Sequence, residues 1–577
     1  MGWVHSSLQS GFGLAQHHGW IEDEHHVLHR LFMKGRSFLL ALVAVAMVLL
    51  TLALGVWWAM ARQSPLRIMD RPLELPRAAR FMPSDAALTL HWLVDSRQVP
   101  AYAQAVAPVR QRQLVNDSTR QLRDGAFALA GLDFSTELAG WIGPEVSFAV
   151  LDAPAQQSGE QPKQGWVLAL SSRDEDGAKR FLQRFWQTRS LAGTDLQISR
   201  YRGMGLISGR GALLGRDPQP IATALIDDDL LLLASGRGVL EQALDVSQLD
   251  SQHQLGDPVL ASDLQSFGRG AAVLIANPGA MERWLGVPSA ITAREDLQGL
   301  VASLTPQGAD LALDAVVHFR EPLIPRVSQL ADSDVLLRDA GGDAETVALL
   351  TNPAALLAAD ANDPLAQWIA PLLRQSIESV STGAAAAVAG LDEGPMLWQQ
   401  GPQGWVLGTR PNRPDPEVVD QQLQGLGLTG STLDSEGQPV QVWTRLARQR
   451  RRGEESLQAE LAVALERHTG VNWWAGTLDG LRRRGESGDL MQRQQLLLEL
   501  QSATQSGLSQ QLALAAAPSR LRLGQWRPWE LVQGVAGRSL LPAVKGLAVS
   551  AGADPNASSV QDERVSSLRL RARLQLG

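Results

Sequence analysis

His25 and His29 stand four residues apart in HHGWIEDEHHVLHR (17–30), a spacing that puts two imidazoles on one face of a helix. With His17, His18 or Glu22 they could complete a shell for zinc, nickel or copper. The chain has no cysteine to add to it, and no second shell to orient the imidazoles is visible. A polar tail without metal is the stronger expectation, and no cofactor is expected. SRDEDG (172–177) opens like a calcium loop, with Ser172, Asp174 and Asp176 as ligands. Its twelfth position is Gln183, where a bidentate glutamate is wanted. Acids there suit the first turn of a helix. Asp227, Asp228 and Asp229 could hold a hard cation, but a hairpin turn accounts for them better.

Other chemistry is thinner. GRGALLG (209–215) and SGRG (235–238) have close glycines, yet neither opens a dinucleotide-binding unit with its acid about twenty residues on. No G-x-S-x-G, S-x-x-K or H-E-x-x-H occurs, and His91, His253, His318 and His468 are isolated in the chain. A hydrolase is therefore the least favoured class. RLARQRRRGEE (445–455) gathers Arg445, Arg448, Arg450, Arg451 and Arg452 in what reads as an exposed loop between strands. Contact with an anionic membrane would gain roughly 1 kcal/mol per arginine near the headgroups. Trp473 and Trp474 lie on an apolar run, so they read as core or as the lining of a ligand groove.

Composition narrows the classes. At 577 residues the chain exceeds one ordinary core. Hydrophobic residues at 45% and charged residues at 19% describe a globular protein. A net charge of −8 gives no sign of nucleic-acid binding. Without cysteine there are no disulfides and no thiol nucleophiles.

Ser37–Met60 is an uncharged apolar run, with Trp57 and Trp58 at the end where indoles favour the headgroup boundary. As a helix it would span about 36 Å, enough to cross a bilayer. Ala59-Met60-Ala61 fits a cleavage site, but the run is longer than a signal-peptide core, which favours a retained anchor. Lys34 and Arg36 precede it and five arginines follow, so charge counting alone would keep the large domain inside. Long domains cross largely regardless of charge, and MKGR reads as the basic start of an export signal. The expected layout is a cytoplasmic tail (1–36), an anchor (37–60), a Pro- and Arg-rich stalk (61–80) and an exported remainder in periplasm or thylakoid lumen.

That remainder repeats itself. QGWVL occurs at Gln164–Leu168 and at Gln403–Leu407. AVLD (149–152) is matched to VAGLD (388–392), ASGRGVLEQAL (234–244) to WAGTLDGLRRR (474–484), and VLIANPGAM (273–281) to ALAAAPSRL (513–521). Four weak matches in one order, offset by about 240 residues, predict two homologous halves (81–325 and 344–577) with a linker at 326–343. The local unit is an apolar run, a cap, then an amphipathic helix. Asn277-Pro278 and Asn352-Pro353 are such caps. EVSFAVLD alternates like a strand, and LIDDDLLLLA reads as a hairpin. The fold class predicted is α+β: one N-terminal transmembrane helix, then two homologous α+β halves with largely antiparallel sheets.

MKGRSFLLALVA, RAARFMPSDAAL, GLDFSTELAGWIGPEVSFAVLD and GWVLALSSRDEDGAKRFLQRFW resemble blocks of a bacterial, mainly cyanobacterial, family called domain of unknown function 3352. The resemblance runs from Met33 onward and is most specific over 33–190. It implies one N-terminal membrane segment and a large exported region, and it carries no activity, ligand or catalytic residue. It also makes residues 1–32 either a lineage-specific tail or an over-extended start. The function expected is non-enzymatic: a membrane-anchored extracytoplasmic protein that binds or scaffolds an envelope or lumen partner, protein or lipid. The alternative is a binding module for a lipid or other apolar ligand held between the halves.

Overall fold

The computed structural model describes residues 64–68, 72–152, 164–211, 219–323, 333–338, 344–358, 364–378, 383–411, 413–435, 437–451, 454–484, 495–500, 502, 508–554 and 565–577. The chain divides after Arg67, and Ile68–Gly577 form one compact unit. The expected anchor, Ser37–Met60, lies outside the described residues. No helix among the described residues is long and apolar enough to cross a membrane.

Ten strands come first in the chain: β1 (Leu88–Trp92), β2 (Ile142–Asp152), β3 (Gln164–Ser172), β4 (Gln197–Tyr201), β5 (Met204–Gly211), β6 (Gln219–Ile226), β7 (Leu230–Ala234), β8 (Ala272–Ala276), β9 (Leu297–Gln307) and β10 (Asp310–Leu323). Ten follow: β11 (Thr346–Leu350), β12 (Met396–Gly401), β13 (Gly404–Thr409), β14 (Thr429–Ser435), β15 (Gln438–Arg451), β16 (Glu454–His468), β17 (Val471–Ala475), β18 (Gln510–Ala515), β19 (Val544–Ala553) and β20 (Val565–Leu576). Pairing places the first series in the order β4, β5, β6, β7, β3, β2, β1, β8, β9, β10. The second runs β14, β15, β16, β17, β13, β12, β11, β18, β19, β20, the same order with ten added to each label. The series meet where β10 pairs with β20, so all described strands join one antiparallel sheet. The molecule is thus a mixed helix-and-strand fold on a large antiparallel sheet.

Strand alternation sorts the side chains. On one face, Val317 of β10, Leu568 and Leu570 of β20, Trp405 of β13 and Trp474 of β17 share a core that runs unbroken across the seam. The helices Pro278–Leu285, Pro364–Glu378, Ala384–Ala389 and Pro416–Gly425 contribute to it. On the other face the cores stay separate, two in the first series around Val167 and Val273 and one in the second around Val406.

Residues expected to be stalk and linker contribute to these cores. Leu73, Ala78 and Ala79 are buried, as are Leu336 and Leu337. The short helices Arg77–Phe81 and Ser333–Arg338 each precede the first strand of a series and pack on the second face.

Local signals set the ends of elements. Asn277 accepts from Ala280 N–H and Asn352 from Ala355 N–H, each just before a proline at the first helical turn. Asp227 and Asp228 take left-handed φ values of 45° and 64°, which turns β6 into β7. Three of the four sequence matches fall on strands of the same rank, β3 with β13, β7 with β17 and β8 with β18. AVLD and VAGLD do not, because Asp152 ends β2 whereas Asp392 precedes β12. In topology the partner of AVAGLD (387–392) is ALAGLD (128–133), which lies just before β2.

Candidate functional site

β20 contains Arg-Leu-Arg-Ala-Arg-Leu (569–574), and this alternation puts Leu570, Ala572 and Leu574 on one face and Arg569, Arg571 and Arg573 on the other. β10 supplies the complementary acids from the first series. Register sets Asp314 opposite Arg571 and Ala312 opposite Arg573.

Arg569 is the deepest of the three, with its side chain 4% exposed. Its Nε and Nη2 donate to the two carboxylate oxygens of Asp314 at 2.8 and 2.7 Å, a two-pronged fit that guanidinium geometry favours. Asp554 lies 3.8 Å away on another side, and the Ser266 carbonyl accepts a longer bond at 3.4 Å. Arg573 donates to Asp310 at 2.8 Å and reaches Glu499 at 3.2 Å. Arg571 donates through Nε alone to Asp314, at 3.2 Å. Carboxylates of one series are thus tied to guanidinium groups of the other.

Above this floor the second face opens into a trough of about 580 Å³, within the roughly 300–1,000 Å³ range of small-molecule sites. Arg269, just after the helix Pro258–Phe267, stands on one wall, and Glu499 and Ser502 stand on the other. Ser303 and Thr305 from β9 and Ser550 from β19 add hydroxyls.

Two titratable groups elsewhere have displaced pKa values. His91 is fully buried, with Nδ1 2.7 Å from Ser147 Oγ and Nε2 2.9 Å from Gln254 Oε1. Burial lowers its pKa to about 4, against a smaller opposing effect of the Gln254 bond. Asp392 is also buried, and burial pushes its carboxyl up to about 7. Neither lines the trough. The His91 shift has a consequence for stability. Its folded pKa lies below the ordinary 6.5, so the unfolded chain binds the extra proton between pH 6.5 and 4. The stability it contributes is complete above pH 6.5 and falls by about 3 kcal/mol as pH drops through 4. In urea unfolding, the stability of wild type relative to His91→Gln should therefore rise by that amount as pH goes from 4 to 6.5. Equal slopes would contradict a neutral buried imidazole.

The residues singled out from sequence are dispersed. His25, His29, Ser37, Trp57, Trp58 and Met60 lie outside the described residues. Asp174 stands at the N-cap position of the helix Glu175–Leu191 with its carboxylate on Arg180, and Glu175 and Asp176 fill the first turn. Asp227 and Asp229 share Arg77, and Asp228 pairs with Lys179, so every acid of the turn is matched to a protein cation.

Arg445, Arg448, Arg450 and Arg451 are not in a loop. They belong to β15, which forms a long ribbon with β16, and Arg452 lies outside the described residues. Along the ribbon Arg451 faces Glu454, Arg450 faces Glu455 and Arg445 faces Glu460 in register. Arg445 makes an ion pair with Glu460 at 2.8 Å. The Arg445 charge is therefore opposed across the ribbon.

Trp473 and Trp474 are 0% and 1% exposed, on opposite faces of β17 and in different cores. Both side chains are packed as core, the first of the two readings the sequence allows. Trp473 lies against Gly408, where the first series has Ala169, and a Cβ at Gly408 would come 2.8 Å from the indole. The trough arginines were missed because no motif marks them. The available signal was the alternation in β20 together with Asp310 and Asp314 four residues apart on β10.

Comparison with curated proteins finds no match. Among solved structures, crystal form IV of TP0453 is 10% identical with a TM-score of 0.22, covering 43% of this chain and 80% of that chain. Crystal form I of TP0453 is 8% identical with a TM-score of 0.24, covering 47% and 88%. Such scores carry no argument about fold or function. The chain belongs to the family described as protein of unknown function (DUF3352), whose sequence profile matches residues 42–571.

Proposed function

We propose that this is a membrane-anchored, exported protein that binds or scaffolds a partner without catalysis, and that its two series of strands arose by duplication. The anchor rests on the uncharged run Ser37–Met60. Duplication is supported by the shared strand order and by QGWVL recurring on β3 and β13. The observation that carries the binding reading is the separation of reactive chemistry from the opening. The displaced groups His91 and Asp392 are enclosed, and the trough is lined by guanidinium, carboxylate and hydroxyl groups. General acid–base work needs displaced groups to converge on a shared space. The alternative, an apolar or lipid ligand between the halves, draws less support. At the seam one face is packed core and the other is floored by charge.

The test is affinity recovery of the full-length protein from native membranes, with protein and lipid analysis of what accompanies it. Expected are retention in the membrane fraction after an alkaline wash and a reproducible partner. Release by the wash would remove the anchor. Recovery of neither protein nor lipid would remove the binding role.

A further inference from the structure

We infer that the trough at the β10–β20 seam is a site for an oxyanion, a carboxylate or phosphate group, received by Arg571 and Arg269. This rests on the binding role proposed above and names its chemistry.

The lining holds unspent donors. Arg569 gives Asp314 a two-pronged bond, so both carboxylate oxygens are already engaged from beneath. Arg571 adds only a single Nε contact to one of those oxygens. Among the described residues its two terminal nitrogens have no carboxylate, and its side chain is 38% exposed on the floor of the opening. Arg573 differs, with Nε and Nη2 on Asp310 and Nη1 on Glu499. Arg269 stands exposed on the wall, and its guanidinium makes no ion pair among the described residues. The lining thus holds three guanidinium groups against two carboxylates, Asp314 and Glu499, both engaged. A planar fork with free terminal N–H groups matches the geometry of a carboxylate or phosphate. The Ser303 and Thr305 hydroxyls donate to the backbone carbonyls of Asp314 and Arg269, and Ser550 brings a further hydroxyl to the same space.

The position has its own logic. The floor joins strands of both series, and its buried ion pairs hold it rigid, so the free fork of Arg571 is oriented before any ligand arrives. On the opposite face the same strands enter the continuous core, which leaves this side as the accessible one.

The same chemistry could come from a free anion or from the headgroup of an anionic lipid. Purified full-length protein should therefore be titrated with inorganic phosphate, with citrate, and with vesicles of phosphatidylcholine containing phosphatidylglycerol, alongside pure phosphatidylcholine vesicles. Saturable binding of phosphate or citrate assigns a free anion. Binding confined to the phosphatidylglycerol vesicles assigns a headgroup. In either case Arg571→Gln and Arg269→Gln should each weaken binding about tenfold, with affinity falling as salt rises. Arg269→Gln removes no ion pair, so a loss of binding there with an unchanged melting temperature cannot come from misfolding. No binding of any probe, or binding that both variants leave unchanged, would overturn the assignment. This outcome is separable from failure of the broader role, because the titration needs no native partner and the membrane recovery makes no reference to the trough.

Discussion

Arg569→Ala is expected to lower the free energy of unfolding by about 3–5 kcal/mol, the cost of removing one member of a buried, hydrogen-bonded ion pair. The side chain is 4% exposed and meets Asp314 in a two-pronged bond, with Asp554 at 3.8 Å. Truncation leaves Asp314 with a single side-chain bond, from Arg571. Arg569→Lys should recover only part of the loss, because an ammonium cannot span both oxygens. The double variant Arg569→Met/Asp314→Leu should cost less than Arg569→Ala, since it removes both charges instead of stranding one. Urea denaturation of all three checks this. A loss below about 1 kcal/mol for Arg569→Ala would mean that the pair does not hold the seam.

Asp392→Asn should stabilise the protein at pH 8 by up to about 4 kcal/mol. Oδ1 of Asp392 accepts from Gly394 N–H at 3.0 Å, and Oδ2 has no partner among the described residues. Burial raises the pKa to about 7 from 3.8, and the Gly394 bond and the charges of Arg413 and Arg410 offset only part of that. The folded chain therefore holds a proton that the unfolded chain gives up between pH 3.8 and 7. The contribution is complete below pH 3.8 and is lost as pH rises through 7. Asparagine imitates the protonated acid and keeps the bond from Gly394, so the variant should retain at pH 8 what wild type has lost. The measurement is the difference between the two unfolding free energies from pH 4 to 8, which should grow with pH. A difference independent of pH would sink the account. His91 acts with opposite sign between pH 6.5 and 4, so the wild-type profile should be flatter than that of either variant.

How much was legible depended on how far apart the interacting residues lie. The caps at Asn277 and Asn352 were readable because the group satisfied is three residues away. The turn at 227–229 was readable as well, yet its cations, Arg77 and Lys179, were not, since nothing local joins them to it. The same limit misplaced one sequence match, where a shared aspartate tied VAGLD to AVLD although strand rank ties it to ALAGLD. It also hid the trough, because Arg569 lies 255 residues from Asp314.

By itself the sequence determined the quantities that short-range physics controls: globular composition, the apolar run at 37–60, the α+β alternation and the face of β20 that carries arginine. Only the tertiary structure decided what each face meets. Strand pairing placed Asp314 beneath Arg571, set glutamates opposite three ribbon arginines, and sealed Trp473 and Trp474 into separate cores. The reason is that alternation fixes the direction of a side chain, while its environment comes from partners brought in by long-range pairing, and that environment decides whether a charge is spent or free.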